Sequence, residues 1–221
     1  MRFPIALLAH RGFWRDKIER NTLKAFTHAW AEGFGVETDI RDQDGRLVVS
    51  HDPPVGRDVL SLDQFLDLYV KVGGRTALAL NIKSDGLQEK LKSALADRGI
   101  GAERYFVFDM AVPDALAYLS YNMPCFTRES EFESPPALIG RATGVWLDCF
   151  HRDWIDAEVI LGHHRAGRQV ALVSPELHGR PHAGAWSCWR EAARLIDART
   201  QGGTLMLCTD YPEEARDFFN D

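Results

Sequence analysis

Two carboxylates, Glu37 and Asp39, stand two residues apart in the stretch GVETDIRDQDGRLVVSHD. Side chains alternate between faces along a strand, so both point the same way and can grip one cation between them. The Asp44-Gly45 turn folds the chain back through RLVVSHD. A three-residue loop with Gly45 left-handed places His51 opposite Glu37, whereas a two-residue loop places it opposite Thr38. The first register is preferred because it gathers the polar groups. His10 ends an earlier apolar run and faces the same cavity, which supplies a second imidazole. Two histidines can divide general-base and general-acid duty near neutral pH. Arg11 and Lys83 add fixed positive charge, which suits an anionic substrate whose charge grows on phosphorus in the transition state. Phosphodiester cleavage fits that inventory. The segment LALNIKSDG is the odd piece, because Asn81 and Lys83 lie inside an otherwise apolar strand.

The elements that must position these groups read as short β-rich runs alternating with helical patterns. Strands are predicted at 5–9, 35–40, 77–82, 105–108, 124–127, 144–148, 169–173 and 204–208. Helices are predicted near 22–32, 62–71, 86–98, 112–120, 154–166, 185–199 and 212–219, with Ser61 and Asp153 among the caps. Eight strands with intervening helices indicate an α/β fold, a single (β/α)8 TIM barrel spanning residues 1–221. Active sites on that fold gather at the C-terminal ends of the strands. Those ends carry His10 and Arg11, Glu37 and Asp39, Asn81 and Lys83, Asp109, Arg128, Asp148, Glu176 and Asp210. The loop PELHGRPHAGAW after the seventh strand holds Glu176, His178, Arg180 and His182 and is a candidate for substrate selection. His163 and His164, adjacent on an outer helix, diverge by about 100° and read as surface histidines. The tryptophans read as core.

Composition narrows the function classes. With 221 residues and 45% hydrophobic content, the chain can bury one substantial core. Its net charge of −6, with basic and acidic residues interspersed, gives no stripe for nucleic acid or an anionic membrane. Cys125, Cys149, Cys188 and Cys208 sit far apart without a C-x-x-C pair, as reduced core residues do. The apolar run before His10 is too short for a signal peptide or a membrane span, so the expected location is cytoplasmic.

Taken in order, AHRG, NTLKAF, ETDIRDQDGRLVVSHD, LNIK and CTDYP resemble the motifs of glycerophosphodiester phosphodiesterases, within the phosphatidylinositol-specific phospholipase C-like superfamily. The resemblance is densest over residues 8–83 and returns at 204–212. It implies that His10 and His51 form the acid/base pair, that Glu37 and Asp39 bind Ca²⁺ or Mg²⁺, and that Arg11 contacts phosphate. It implies further that a neighbouring substrate hydroxyl attacks phosphorus and that water then opens the cyclic phosphate. The expected partner is a small-molecule or polymeric phosphodiester, either glycerophosphodiester-like or a polyol or sugar phosphodiester.

Three departures stand out. Arg20 occupies the place of a glutamate in the segment Glu19-Arg20-Asn21-Thr22, where Asn21 or Thr22 still reads as a helix cap. Asn81 replaces a third metal-ligand glutamate: an amide oxygen can ligate the cation but brings no charge. Asp109 is a further candidate to supply what Asn81 lacks, and Lys83 and Glu176 are candidates for substrate contact. Only one helix separates His51 from the next strand, where many relatives carry a capping insertion. Two other readings stay open: a catalytically impaired phosphate-ligand binding protein, and a lyase or transferase that stops at the cyclic phosphate.

Overall fold

The computed structural model describes residues 5–56, 58–196 and 205–220. Strands β1 (Ile5–His10), β2 (Gly35–Gln43), β3 (Arg46–Val49), β4 (Leu78–Ile82), β5 (Tyr105–Phe108), β6 (Phe126–Glu129), β7 (Gly144–Leu147), β8 (Gln169–Val173) and β9 (Leu205–Thr209) form one sheet. Its order is β5-β4-β2-β1-β9-β8-β7-β6, with β3 attached to β2. Helices α1 (Leu23–Ala31), α2 (Leu62–Leu68), α3 (Gln88–Ala96), α4 (Val112–Ser120), α5 (Ala157–Arg165), α6 (Ala183–Leu195) and α7 (Pro212–Asn220) fall between them. This is the predicted (β/α)8 barrel, with β3 as an antiparallel addition to its eight parallel strands.

The predicted elements are found with small shifts. The strand predicted at 124–127 is β6, which begins at Phe126. Residue 204 of the last predicted strand and residues 197–199 of the sixth predicted helix lie outside the described residues. Ser61 caps α2 through a complete capping box with Gln64. Asp153 is not the α5 cap: Asp156 is, its side chain accepting from the Val159 N–H at 2.9 Å, while Asp153 pairs with Arg180.

The hairpin register is the substantive correction. Gln43 pairs with Arg46 and Ile40 with Val49, so the turn has two residues, not three. Asp44 and Gly45 both have positive φ (50° and 78°), the type I′ geometry whose twist matches that of flanking strands. Asp-Gly chemistry decided the register, and β3 ends before His51. His51 therefore is not aligned with Glu37 by the ladder.

The chain forms two compact units, Ala9–Cys125 and Met1–Leu8 with Phe126–Asp221. In the first, Phe26 and Trp30 of α1 pack on Phe65 of α2 and on Tyr69, with ring centroids 4.7–5.9 Å apart. Gly73 meets this cluster so closely that a Cβ there would lie 2.6 Å from the Trp30 ring. In the second, Trp186 and Trp189 of α6 bury against Val145, Leu147, Leu172 and Leu207 from the strands. Trp146 is also core, whereas Trp14 and Trp154 are half-buried. All four cysteines are free thiols, and burial pushes Cys125 up to about 12 and Cys149 to about 11. These two thiols stay protonated, as expected of core residues.

The turn after β1 is built on Gly12, which has φ +88° and sits where an added Cβ would lie 2.8 Å from Ala25 Cβ and 2.9 Å from its carbonyl carbon. Left-handed backbone and a steric stop together exclude a side chain. Gly12→Ala is expected to lose about 2–4 kcal/mol of unfolding free energy from strain plus overpacking. Urea denaturation monitored by tryptophan fluorescence checks this.

Candidate functional site

The polar face within the unit Ala9–Cys125 starts from β2. Glu37 and Asp39 share one face and are almost fully buried, at 2% and 0% exposure. Parallel register sets Asn81 of β4 beside Asp39, so the three oxygen-bearing side chains adjoin. His10 ends β1 with its Nε2 3.9 Å from Glu37 Oε2. Arg11 follows in left-handed backbone (φ 58°), and its N–H donates to the Glu37 carbonyl at 2.9 Å and to Glu37 Oε2 at 3.3 Å. That turn aims the guanidinium at Asp39, with Nε 3.1 Å from Oδ2.

Asp39 is the best compensated group. Lys83 Nζ lies 3.6 Å from its Oδ1, and the Asn21 amide donates to Oδ2 at 2.9 Å. Lys83 also meets Asp109 at 3.3 Å, so Asp109 is tied to the lysine. Glu37 is held only weakly, by the Arg11 N–H and by the Asn81 amide at 3.4 Å. Burial, reinforced by the neighbouring Asp39 charge, accordingly pushes the Glu37 carboxyl up, against the opposing pull of His10, Arg11 and Lys83.

Asn21 is the residue that sequence reasoning missed. Thr22, not Asn21, caps α1, accepting from the Ala25 N–H. Asn21 has φ 57° and bridges β2, donating to Asp39 and accepting from the Thr38 hydroxyl at 2.9 Å. The only available signal was an asparagine in a helix-start motif, and its partners lie 17 and 18 residues downstream.

His51 lies beyond the end of β3 and is half exposed, its Nδ1 2.9 Å from Asp52 Oδ1. With Arg11 it lines a cavity of about 880 Å³. The carboxylate beside Nδ1 favours the tautomer with its proton there, which presents Nε2 as the acceptor.

Among the described residues, no group of three or more His, Cys, Asp and Glu side chains could hold a metal ion. The oxygen set Glu37, Asp39 and Asn81 is nonetheless suited to a hard cation, because Asp39 Oδ1 and Asn81 Oδ1 are buried without a hydrogen-bond donor. Two carboxylates and an amide oxygen match Mg²⁺ or Ca²⁺ better than softer metals.

No family model and no curated protein matches the chain. Solved structures do. A candidate glycerophosphodiester phosphodiesterase from Galdieria sulphuraria aligns with a TM-score of 0.73 at 16% identity, over 98% of both chains. An Oleispira antarctica phosphodiesterase in complex with the product sn-glycerol-3-phosphate aligns at 0.62 and 16%, over 98% of this chain and 97% of that one. A Ca²⁺-dependent phosphatidylinositol-specific phospholipase C from Streptomyces antibioticus aligns at 0.60 and 11%, over 97% and 96%. The chain has the fold of the glycerophosphodiester phosphodiesterases.

The remaining sequence candidates lie in the other unit. Glu176 is fully engaged there: Oε1 accepts from the Thr209 hydroxyl and the Asp210 N–H, and Oε2 accepts from the Ser174 hydroxyl and lies 3.7 Å from His182 Nδ1. Asp148 is buried and meets His178 Nε2 at 2.6 Å. Arg128 pairs with Glu133 and faces the Phe150 ring. His163 is not a surface histidine: it is 13% exposed and its Nε2 lies 2.8 Å from Glu129.

The raised Glu37 carboxyl carries a sign that can be checked. A folded-state value above the unfolded one means that its contribution to stability is present at low pH and lost as pH rises through the folded value. Wild type is expected to lose on the order of 1–3 kcal/mol relative to Glu37→Gln between about pH 5 and about pH 8. Thermal melts of both proteins across that range measure it, without added divalent cation.

Proposed function

We propose that the chain is a glycerophosphodiester phosphodiesterase-like hydrolase, acting on a glycerophosphodiester or a related polyol or sugar phosphodiester. One observation carries the reading: Arg11, Lys83 and His10 converge on two buried carboxylates at the strand ends of this fold, beside a cavity lined by His51. The sn-glycerol-3-phosphate held by the Oleispira antarctica protein supports the substrate class.

Arg11 and Lys83 bind the phosphoryl oxygens, exchanging part of their contact with Asp39 for contact with the substrate anion. One imidazole of the pair His10 and His51 takes the proton from the attacking hydroxyl, and the other delivers a proton to the leaving alcohol oxygen. When water opens the resulting cyclic phosphate, the two exchange roles. Asp52 holds the His51 ring through Nδ1, and Asn21 keeps Asp39 aimed at the site. Glu37, Asp39 and Asn81 would hold Mg²⁺ or Ca²⁺, a Lewis acid that offsets charge growing on the phosphoryl oxygens. The Ca²⁺ dependence of the Streptomyces antibioticus neighbour supports a divalent cation. Asp109 serves this site through Lys83, and Glu176 supports the loop after β8.

His10→Ala and His51→Ala are each expected to lower kcat on glycerophosphodiesters by about 100-fold or more. Full activity in both variants overturns the acid/base assignment. Phosphorus NMR of the product separates hydrolysis from arrest at the cyclic phosphate. Asn81→Glu adds the missing charge and is expected to tighten Mg²⁺ binding roughly tenfold, read by calorimetry. No tightening would remove Asn81 from the metal set.

A further inference from the structure

The two-residue turn ends β3 at Val49, so the hairpin pairing does not extend to His51. Side chains from β2 reach it instead. Period-two alternation puts Arg41 and Gln43 on the same face of β2 as Glu37 and Asp39. Arg41 donates from Nε to the His51 carbonyl at 2.9 Å. Gln43 donates from Nε2 to the Gly56 carbonyl at 2.7 Å, further along the same loop.

Inside that clamp the backbone around His51 is tied on both sides. The Ser50 N–H donates to the Asp39 carbonyl at 3.0 Å, and the Ser50 hydroxyl donates to the Asp52 carbonyl at 2.7 Å. The Asp52 carboxylate then meets the imidazole at Nδ1. Arg41 is the side chain that holds the His51 peptide itself, and its guanidinium offers a rigid donor that stays charged at every working pH. Its charge is felt at Asp52, whose carboxyl lies below the usual range chiefly through the His51 hydrogen bond and charge, with Arg11 and Arg41 adding to them.

We propose that Arg41 is a positioning residue: by holding the His51 carbonyl it keeps the ring within proton-transfer reach of the substrate, and Gln43 supports it by fixing the loop at Gly56. The inference rests on the phosphodiesterase reading, in which His51 belongs to the acid/base pair, and assigns what keeps that imidazole in place. One face of β2 thereby serves both halves of the site, with candidate cation ligands at Glu37 and Asp39 and histidine placement at Arg41 and Gln43.

Arg41→Met keeps the aliphatic stem and removes the donor. With divalent cation present it is expected to lower kcat on glycerophosphocholine about tenfold, the scale of a displaced acid/base group, with KM within about twofold of wild type. Arg41→Lys, which keeps a donor and the charge, recovers most of that loss. Gln43→Met lowers kcat about threefold and serves if Arg41→Met does not fold. A second readout needs no turnover: proton–nitrogen NMR of the imidazoles at about pH 8, with the His51 signals identified by their absence in His51→Ala. Wild type is expected to show one narrow set of His51 signals, and Arg41→Met a set broadened by motion of the ring. Unchanged kcat in Arg41→Met, a loss carried by KM instead, or an unchanged His51 spectrum overturns the inference. A His51 spectrum that depends on Arg41, in a protein that turns over no phosphodiester, supports the clamp and overturns the hydrolase. Turnover with a spectrum indifferent to Arg41 does the reverse.

Discussion

Taking a carboxylate wholly out of water costs several kcal/mol unless opposite charge and donors replace the lost hydration. Asp39, with no exposed surface, is that case, and the local architecture is arranged around it. Arg11 reaches it because the backbone turns left-handed after β1, and that turn exists because Gly12 packs against Ala25 without a side chain. Asn21 reaches it because the cap of α1 is the next residue, Thr22, which leaves the Asn21 side chain free of that task. Lys83 reaches it because β4 lies in parallel register with β2 and sends its next residue to the same end. Three separate chain segments thus owe part of their conformation to one buried charge.

The same arrangement leaves Glu37 as the imbalanced partner. Arg11 and Lys83 are spent largely on Asp39, Asn81 offers an amide in place of charge, and His10 stands at 3.9 Å. A buried carboxylate whose own compensation is incomplete has most to gain from a cation or a proton arriving. Tight pairing at Asp39 gives geometry, while weak pairing at Glu37 gives appetite for a ligand.

Most strands were legible because β-rich apolar runs separated by turn residues leave few alternatives, and the clustering of His10, Glu37, Asp39 and Asn81 followed from period-two alternation on neighbouring strands. What was illegible depended on partners distant in sequence. Asn21 looks like a cap until Thr38 and Asp39 are seen to hold it, and His163 looks solvated until Glu129, 34 residues earlier, is seen beside it. The hairpin failed for the opposite reason. Its Asp-Gly pair specified a two-residue I′ turn locally, and a preference for gathering polar groups overrode that signal.

That tight hairpin ends β3 early, and the chain then makes a loop whose neck is closed where the Val49 N–H donates to the Leu60 carbonyl at 2.8 Å. His51 rides on this loop together with much of the cavity wall, from Asp52 through Pro54 and Val55 to Val59. A segment tied at its base can change in length or composition without disturbing the sheet, so it is the natural place for relatives to diverge. Because it carries an imidazole and a wall of the cavity at once, such divergence changes the placement of that ring and the shape of the cavity as one inherited unit.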